Sequence, residues 1–544
     1  MKHENGKRWG LTRRWIRGLL KAGLLFAVLF APRVFCHAQQ QQEQTVTFEI
    51  RLFEIKGNTL FDEFDIEQVL RPFAGPEKTA EDVEKARDAL EKLYHEKGYP
   101  AVFVNIPEQT VEEGTVRLQV IESRIGRVKV SGNRYFSRTK IRKKLASLQP
   151  GEILYVPAVQ EDLAIINRNP DLKVAPVLAP GRELGLIDVE LKVADRLPLH
   201  GSLELNNRST HDTTDLRANA LIRYDNLWQK EHSVSVQYQT SPQDMDEVQV
   251  IAGSYVLPAP WNEDFLVALY GVWSDSETAF GEGFRVTGKG NIFGARLVMP
   301  LPGKDAYNHN VTAGLDYKNF DETLGFLSEA EGGVKTPMRY LPLLFSYNGT
   351  LQDSWGQTRF SGGLNMVFRG LVTDQRQFEV KRYQAKGNYL FATLGVERMQ
   401  KLPFGFGLFA KLDGQIADQP LISNEQFTAG GMESVRGYKE SEVLGDDAIH
   451  GTIELLGPDL GDLVGLTGKV QFLPFLFYDF ATLRTQEPLP EQDEWQTIQG
   501  VGVGVRGKIS KYVEYEVSAA RALEDTDKVV SGDYEVYFKV KAAF

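Results

Sequence analysis

Cysteine is almost missing from this chain. Cys36 is the only one among 544 residues, and it lies in an N-terminal stretch that reads as removable. A disulfide framework and a thiolate metal centre are therefore excluded for the remainder. Long apolar runs are missing too. Ala22 to Ala31 is apolar but falls short of the ~20 residues that a spanning helix needs. An excess of positive charge is also absent: 62 Lys and Arg stand against 73 Asp and Glu, for a net charge of −11. Such a chain is a poor match for nucleic-acid phosphates. Neither His-Glu-x-x-His nor Gly-x-Ser-x-Gly occurs, and His95, His200, His211, His232, His309 and His450 are scattered. No enzyme, metal or cofactor is expected. Gly502-x-Gly504-x-x-Gly507 mimics a dinucleotide loop but sits in strand-like sequence. Gly283 to Lys289 mimics a phosphate loop, yet Gly290 replaces the magnesium-binding hydroxyl.

Residues 1–38 read as an export signal. Lys2, Lys7, Arg8, Arg13, Arg14, Arg17 and Lys21 form a basic start, an apolar run follows, and Cys36-His37-Ala38 is a small-x-small cleavage site. This segment carries eight Lys and Arg against one Glu, a charge of +7, so its removal takes the net charge from −11 to −18. Gln39 to Gln44 is a short polar spacer.

Residues 47–122 and 124–196 repeat one small α+β unit at an offset of 75. Phe53-x-Ile55-x-Gly57-Asn58-x-x-Phe61 aligns with Val128-x-Val130-x-Gly132-Asn133-x-x-Phe136, and Ile66 and Leu70 align with Ile141 and Leu145. Alternation predicts a strand, Gly-Asn a turn, and the spacing of Val83, Ala86, Leu90, Leu93 and Tyr94 an amphipathic helix that stops at Gly98. Arg134, Arg138, Lys140, Arg142, Lys143 and Lys144 form a basic cluster. It reads as a solvated helix face, or as an attractor for acidic client or lipid headgroups.

From residue 198 to 544 the pattern is alternation broken by Gly, Asp, Asn and Pro. Val234/Val236/Tyr238 and Val311/Ala313/Leu315/Tyr317 are examples. About sixteen such segments fit into 347 residues, which suits a closed antiparallel barrel of ~10-residue tilted strands in a membrane. In the last segment Tyr534, Val536, Phe538, Val540, Ala542 and Phe544 share one face, opposite Glu535, Lys539 and Lys541. A Gly-rich loop carries Val435-Arg436-Gly437-Tyr438. If this loop folds into the barrel, Arg436 needs an acid, because desolvating an unpaired charge costs several kcal/mol. Asp479 is the expected partner. Phe475, Phe477 and Ala481 then face inward with it, and Leu476, Tyr478 and Phe480 face lipid. Gly500, Gly502 and Gly504 form a bare inner stripe on the next strand, where another backbone could come close.

The β-α-α-β-β repeats resemble POTRA domains. Val435-Arg436-Gly437-Tyr438 resembles the V-R-G-Y/F loop of the BamA-like outer-membrane superfamily, and Phe477-x-Asp479-x-Ala481 the F-x-D-x-G strand of its two-partner secretion branch, with Ala481 in place of Gly. The terminal Phe544 resembles the recognition signal of bacterial barrels. The resemblance implies a bacterial outer-membrane transporter with its POTRA domains in the periplasm. It would carry a large β-rich exoprotein, unfolded and without nucleotide, and act as a monomer in outer-membrane lipid after insertion by the barrel assembly machinery. In this branch a plug helix precedes the first POTRA domain, and here there is almost no room for one. An assembly factor of the same superfamily, and a porin or outer-membrane enzyme, are the alternatives.

Overall fold

The computed structural model describes residues 46–544 except 212, 277, 282–283, 288, 305, 325–333, 464 and 467. The export signal over residues 1–38 lies outside the described residues, as do Gly283 and Gly288 of the phosphate-loop look-alike. The chain forms two compact bodies. One comprises residues up to Arg124 with 153–156 and 183–185, and the other holds the rest. The repeat over 124–196 thus belongs with the C-terminal body, a grouping that the sequence boundaries did not indicate.

In the first body Leu52–Lys56 pairs in parallel with Thr115–Glu122, which pairs antiparallel with Val102–Asn105. The helices Glu63–Leu70 and Ala80–Glu96 supply Ile66, Leu70, Val83, Ala86, Leu90 and Tyr94 to a core completed by Val116, Leu118 and Val120. A capping box between Thr79 and Asp82 starts the longer helix, and Gly98, at φ +97°, follows its end. The hydrogen bonds from Thr79 hold the Asp82 carboxyl below its ordinary range.

The second repeat contains Arg124–Ser131, helices Arg138–Lys144 and Val156–Ile166, then Leu172–Pro180 and Leu186–Asp195. Its strand order matches that of the first, with the last strand in the middle. The Gly-Asn turns also match in atomic detail. Gly57 and Gly132 have φ +86° and +85°, and an added Cβ would lie 2.3 Å from the Val120 carbonyl oxygen or 2.4 Å from that of Val193. Asn58 donates to the Phe61 carbonyl at 2.7 Å and Asn133 to that of Phe136 at 2.9 Å. A carboxylate then collects the turn's amides: Glu122 those of Thr59 and Leu60, Asp195 those of Arg134, Tyr135 and Phe136. These two acids are 73 apart, not 75, so a fixed-offset alignment misses them.

The remaining strands are named β1 (Leu199–Asn206), β2 (Arg217–Leu227), β3 (His232–Thr240), β4 (Gln249–Ala259), β5 (Asn262–Asp275), β6 (Gly290–Lys304), β7 (Tyr307–Leu324), β8 (Val334–Tyr340 continued by Pro342–Asp353), β9 (Gly356–Val367), β10 (Leu390–Lys401), β11 (Gly407–Ala417), β12 (Asp447–Leu456), β13 (Leu473–Arg484), β14 (Trp495–Ile509), β15 (Val513–Ala522) and β16 (Tyr534–Ala543). They form a closed antiparallel barrel of sixteen strands in which β16 pairs with β1. No described helix is long and apolar enough to cross a membrane, which says nothing of a β-barrel. Closure satisfies every ladder hydrogen bond, which an apolar solvent demands. Along β13 the residues Phe475, Phe477, Asp479, Ala481 and Leu483 are buried, while Leu476 and Tyr478 are exposed. Tyr534, Val536 and Val540 on β16 also face outward, as does Phe544, whose backbone exchanges two hydrogen bonds with Gly201. Gly502 and Gly507 lie inside β14, with no helix after them. Short turns, with the β12–β13 connection over 457–472 as the exception, alternate with longer loops, and the turns lie at the end where the chain enters from the second repeat.

Gly132 and Gly151 share a left-handed backbone, but an added Cβ at Gly151 meets nothing within 4 Å. Gly132→Ala is expected to destabilise the second repeat by ~3 kcal/mol and Gly151→Ala by only ~1 kcal/mol. Amide exchange of Val189 to Val193 in the full chain reads the difference, and equal effects would refute the carbonyl clash.

Candidate functional site

The 29 residues between β11 and β12 form the element that organises the barrel interior. A small hairpin, Phe427–Ala429 with Val443–Gly445, carries the loop, and Gly430, Gly431 and Gly437 allow its sharp turns with φ between +102° and +111°. Val435, Arg436 and Tyr438 are buried.

The Arg436 guanidinium meets Asp479 through two parallel bonds, Nε to Oδ2 at 2.7 Å and an Nη to Oδ1 at 2.8 Å. The Arg436 amide also donates to Asp479 Oδ2, at 3.1 Å. The other Nη donates to Glu454 Oε1 at 2.7 Å, and the second oxygen of Glu454 pairs with Arg506. The guanidinium carbon of Arg436 stands 3.4 Å from the centroid of the Phe477 ring, and that of Arg506 4.5 Å from that of Phe475. Asp479, Arg436, Glu454 and Arg506 thus alternate in sign and sum to zero. Each carboxylate has two donors or more, the condition under which a buried ion pair offsets its desolvation. Register puts the acids side by side: Thr452 opposes Asp479, and Glu454 opposes Phe477.

The inner stripe of β14 divides its work in a way that alternation alone did not reveal. An added Cβ at Gly500 would lie 1.7 Å from the Arg436 carbonyl oxygen, so this glycine admits the loop backbone. At Gly502 such a Cβ would lie 2.1 Å from the Ala519 carbonyl oxygen of the adjacent strand and 2.5 Å from the Phe477 ring, and at Gly504 2.4 Å from the Phe475 ring. The loop backbone thus comes close at Gly500, while Gly502 and Gly504 make room for the aromatic rings that flank the guanidiniums. Gly437 approaches the backbone of Arg521 and Ala522. The Tyr438 hydroxyl donates to the carbonyls of Gln499 and Glu524, at 3.1 and 2.9 Å. The methyl group of Ala481 is buried in the cluster that includes Val435 and Tyr438, so a residue larger than glycine is used as packing.

Several partners escaped the sequence reading. Glu454 and Arg506 show only as inward positions of β12 and β14. Tyr537 is the inward residue of β16 between the outward Val536 and Phe538. Its hydroxyl accepts from Gly437 N at 2.8 Å and donates to the Tyr438 carbonyl at 2.6 Å. Beside it the barrel seam is short. Lys539 to Ala543 pair with Asn206 to Ser202 over five positions, against twelve between β13 and β14. Asn207 extends the seam with its side chain, donating to the Val536 carbonyl at 2.6 Å and accepting from Phe538 N at 2.8 Å. The loop spans the same junction: Lys439 Nζ lies 2.7 Å from Asp215 and 3.3 Å from Glu535, and Arg208 binds Glu433 and Glu440, each at 2.8 Å.

Toward the loop end of the barrel, the helix Gln375–Lys381 places Phe378 among Tyr340, Tyr389, Phe391, Leu421 and Ile422. Arg382 grips the fully buried Asp446 by bonds of 2.8 and 2.7 Å and adds the carbonyls of Leu421 and Gln486. Asp171, His200 and Asp225 have ligand atoms close enough for a metal ion. However, Arg196 and Arg223 already pair with the two acids at 2.6 and 3.0 Å, an arrangement hostile to a dication.

Residues 48–123 match the POTRA domain of ShlB type, and residues 185–507 match the haemolysin secretion/activation protein ShlB/FhaC/HecB pattern. The chain is 18% identical over 457 residues to the heme/hemopexin transporter protein HuxB of Haemophilus influenzae, covering 81% of this chain and 77% of that one. It is 20% identical over 430 residues to the outer membrane transporter CdiB of Dickeya dadantii, covering 75% and 72%. Among solved structures, CdiB from Escherichia coli superposes with a TM-score of 0.62 at 18% identity, covering 93% of this chain and 92% of that one. BamA from Haemophilus ducreyi, lacking POTRA domains 1–3, gives 0.57 at 14% identity, covering 91% and 100%. With more than half its length matched by one family pattern on a sixteen-strand barrel, the chain belongs to the ShlB/FhaC/HecB haemolysin secretion/activation family of two-partner secretion transporters in the bacterial outer membrane.

Proposed function

We propose that the repeats over 47–122 and 124–196 act as a POTRA pair in the periplasm, that they capture one unfolded β-rich exoprotein, and that the barrel passes it to the cell surface without nucleotide. Folding of the client outside would prevent its return. An extended client can add to a free sheet edge of a repeat, where backbone hydrogen bonds give affinity without demanding one sequence. The transporter works as a monomer in outer-membrane lipid, after insertion by the barrel assembly machinery.

The single observation that carries this reading is the buried quartet of Asp479, Arg436, Glu454 and Arg506. It gives the long loop one tightly defined seat across β12, β13 and β14, and so a resting state that a client must displace. Val435 and Tyr438 pack the seat, and Gly437 and Gly500 let it form. The five-position seam between β1 and β16 favours a second reading, an assembly factor that templates new barrels there.

Removal of residues 47–122 separates the readings. Export of one exoprotein should stop while the outer-membrane proteome stays unchanged; a general loss of barrel proteins would point to the assembly factor, and unchanged export with an unchanged proteome would sink both.

Arg436→Asp leaves three acids around one arginine, and Asp479→Arg the reverse. Each single change is expected to lose ~3–5 kcal/mol of loop docking and most export, while the double exchange regains a substantial part. A double variant no better than either single, in secretion and in protease resistance of the loop, would count against the pair. Gly500→Val should unseat the loop with every charge intact, and wild-type protease resistance of that variant would contradict the close approach.

A further inference from the structure

The β2–β3 turn is built from residues that resist its shape. Trp228, Gln229 and Glu231 all have left-handed backbones, with φ of +55°, +58° and +60°. Left-handed turn positions ordinarily use Gly, Asn or Asp. Each such residue costs free energy and persists only where its surroundings over-determine it. Here the second repeat does so. Gln229 accepts from Ser137 N at 2.9 Å and donates to the Tyr135 carbonyl at 2.8 Å. Glu231 takes Lys144 at 2.6 Å, and Glu263, at the start of β5, takes Lys143 at 3.0 Å. The helix Arg138–Lys144 is therefore pinned along the turn at both ends.

This arrangement revises the sequence reading of the basic cluster, since two of its members are spent on the barrel's own acids. It also fixes the height of the others. Trp228 is 68% exposed, next to the helix-binding Gln229, and Trp261 is 66% exposed, two residues before Glu263. Trp355 and Phe404, in other turns at this end of the barrel, are exposed as well. Exposed aromatic residues ringing one end of a membrane barrel mark the headgroup layer. Arg138, Lys140 and Arg142 belong to this pinned helix, and none hydrogen-bonds or ion-pairs with a carboxylate among the described residues; Arg138 donates to the neutral Asn133, and Lys140 is within electrostatic reach of Glu263, which Lys143 already holds.

We propose that the helix Arg138–Lys144, together with Trp228, binds anionic phospholipid headgroups of the periplasmic leaflet. Arg138, Lys140 and Arg142 would hold lipid phosphate while Trp228 seats in the interface beside them. Cations beside an anionic surface add attraction in steps, one per side chain, and the attraction is screened by salt. The strained turn then has two tasks: it projects Trp228 toward lipid and holds the basic helix at phosphate height.

The test uses the full chain in nanodiscs of phosphatidylethanolamine with and without phosphatidylglycerol. Amide exchange across residues 138–145 should slow when phosphatidylglycerol is present, and high salt should reverse the protection. In native mass spectrometry, Arg138→Gln and Arg142→Gln should each weaken phosphatidylglycerol retention about fivefold, while Lys85→Gln in the first repeat leaves it unchanged. Equal exchange in both lipids would overturn the proposal, as would equal retention by all variants. Protection produced by inorganic phosphate or by polyglutamate, but not by phosphatidylglycerol, would overturn it too, the last outcome pointing to an acidic protein client. The exchange arm needs no variant, so a misfolded substitution cannot leave the question open.

Discussion

A guanidinium buried inside a membrane barrel has to be surrounded by acid, and the rest of this structure follows from how that is achieved. Arg436 draws on two carboxylates from two adjacent strands, and the second of these also serves Arg506. The geometry exists only if β12 and β13 keep the register that sets Thr452 against Asp479. A slip of one residue would turn Glu454 outward toward lipid, so the ion network and the ladder specify each other. The aromatic rings at Phe475 and Phe477 cover the cations, and they in turn require the glycines at 502 and 504.

The same loop ties the barrel's weakest junction. A seam of five paired positions offers fewer ladder bonds than any junction near it, and polar side chains make up part of the deficit. Asn207 imitates a backbone pair, Tyr537 holds two backbone groups of the loop, and Lys439 reaches acids on both sides. Loop position and seam integrity are therefore physically linked. A change that lifts the loop also removes the ion pairs that cross between the β1–β2 loop and β16. The aromatic cluster around Phe378 and the Arg382–Asp446 clasp hold the loop's outer half by separate means.

Much of this could be read from residue order because it depends on short periods. Alternation along β13 and β16 assigned inner and outer faces, since a strand's side chains can only take turns. The Gly-Asn turns and the match of Ile66 and Leu70 to Ile141 and Leu145 revealed two copies of one unit, since left-handed glycine and helical spacing leave local marks. Arg436 and Asp479 could be matched because a buried cation needs an acid, and the motif supplied a nearby one.

Contacts between distant strands left no such marks. Glu454 and Arg506 are ordinary inward residues until closure and register bring them to Arg436. Tyr537 is one tyrosine among twenty until β16 meets β1. The two acids that cap the Gly-Asn turns escaped because a two-residue difference in length shifts them out of the repeat's offset. Nor could order alone say which glycine of β14 meets the loop backbone and which make room for rings, because that depends on how a folded loop sits against a wall. The amino-acid sequence determined the repeating units, the faces of the strands and the need for a counter-charge; closure of the barrel decided which side chains answer that need, because only closure sets the distances across it.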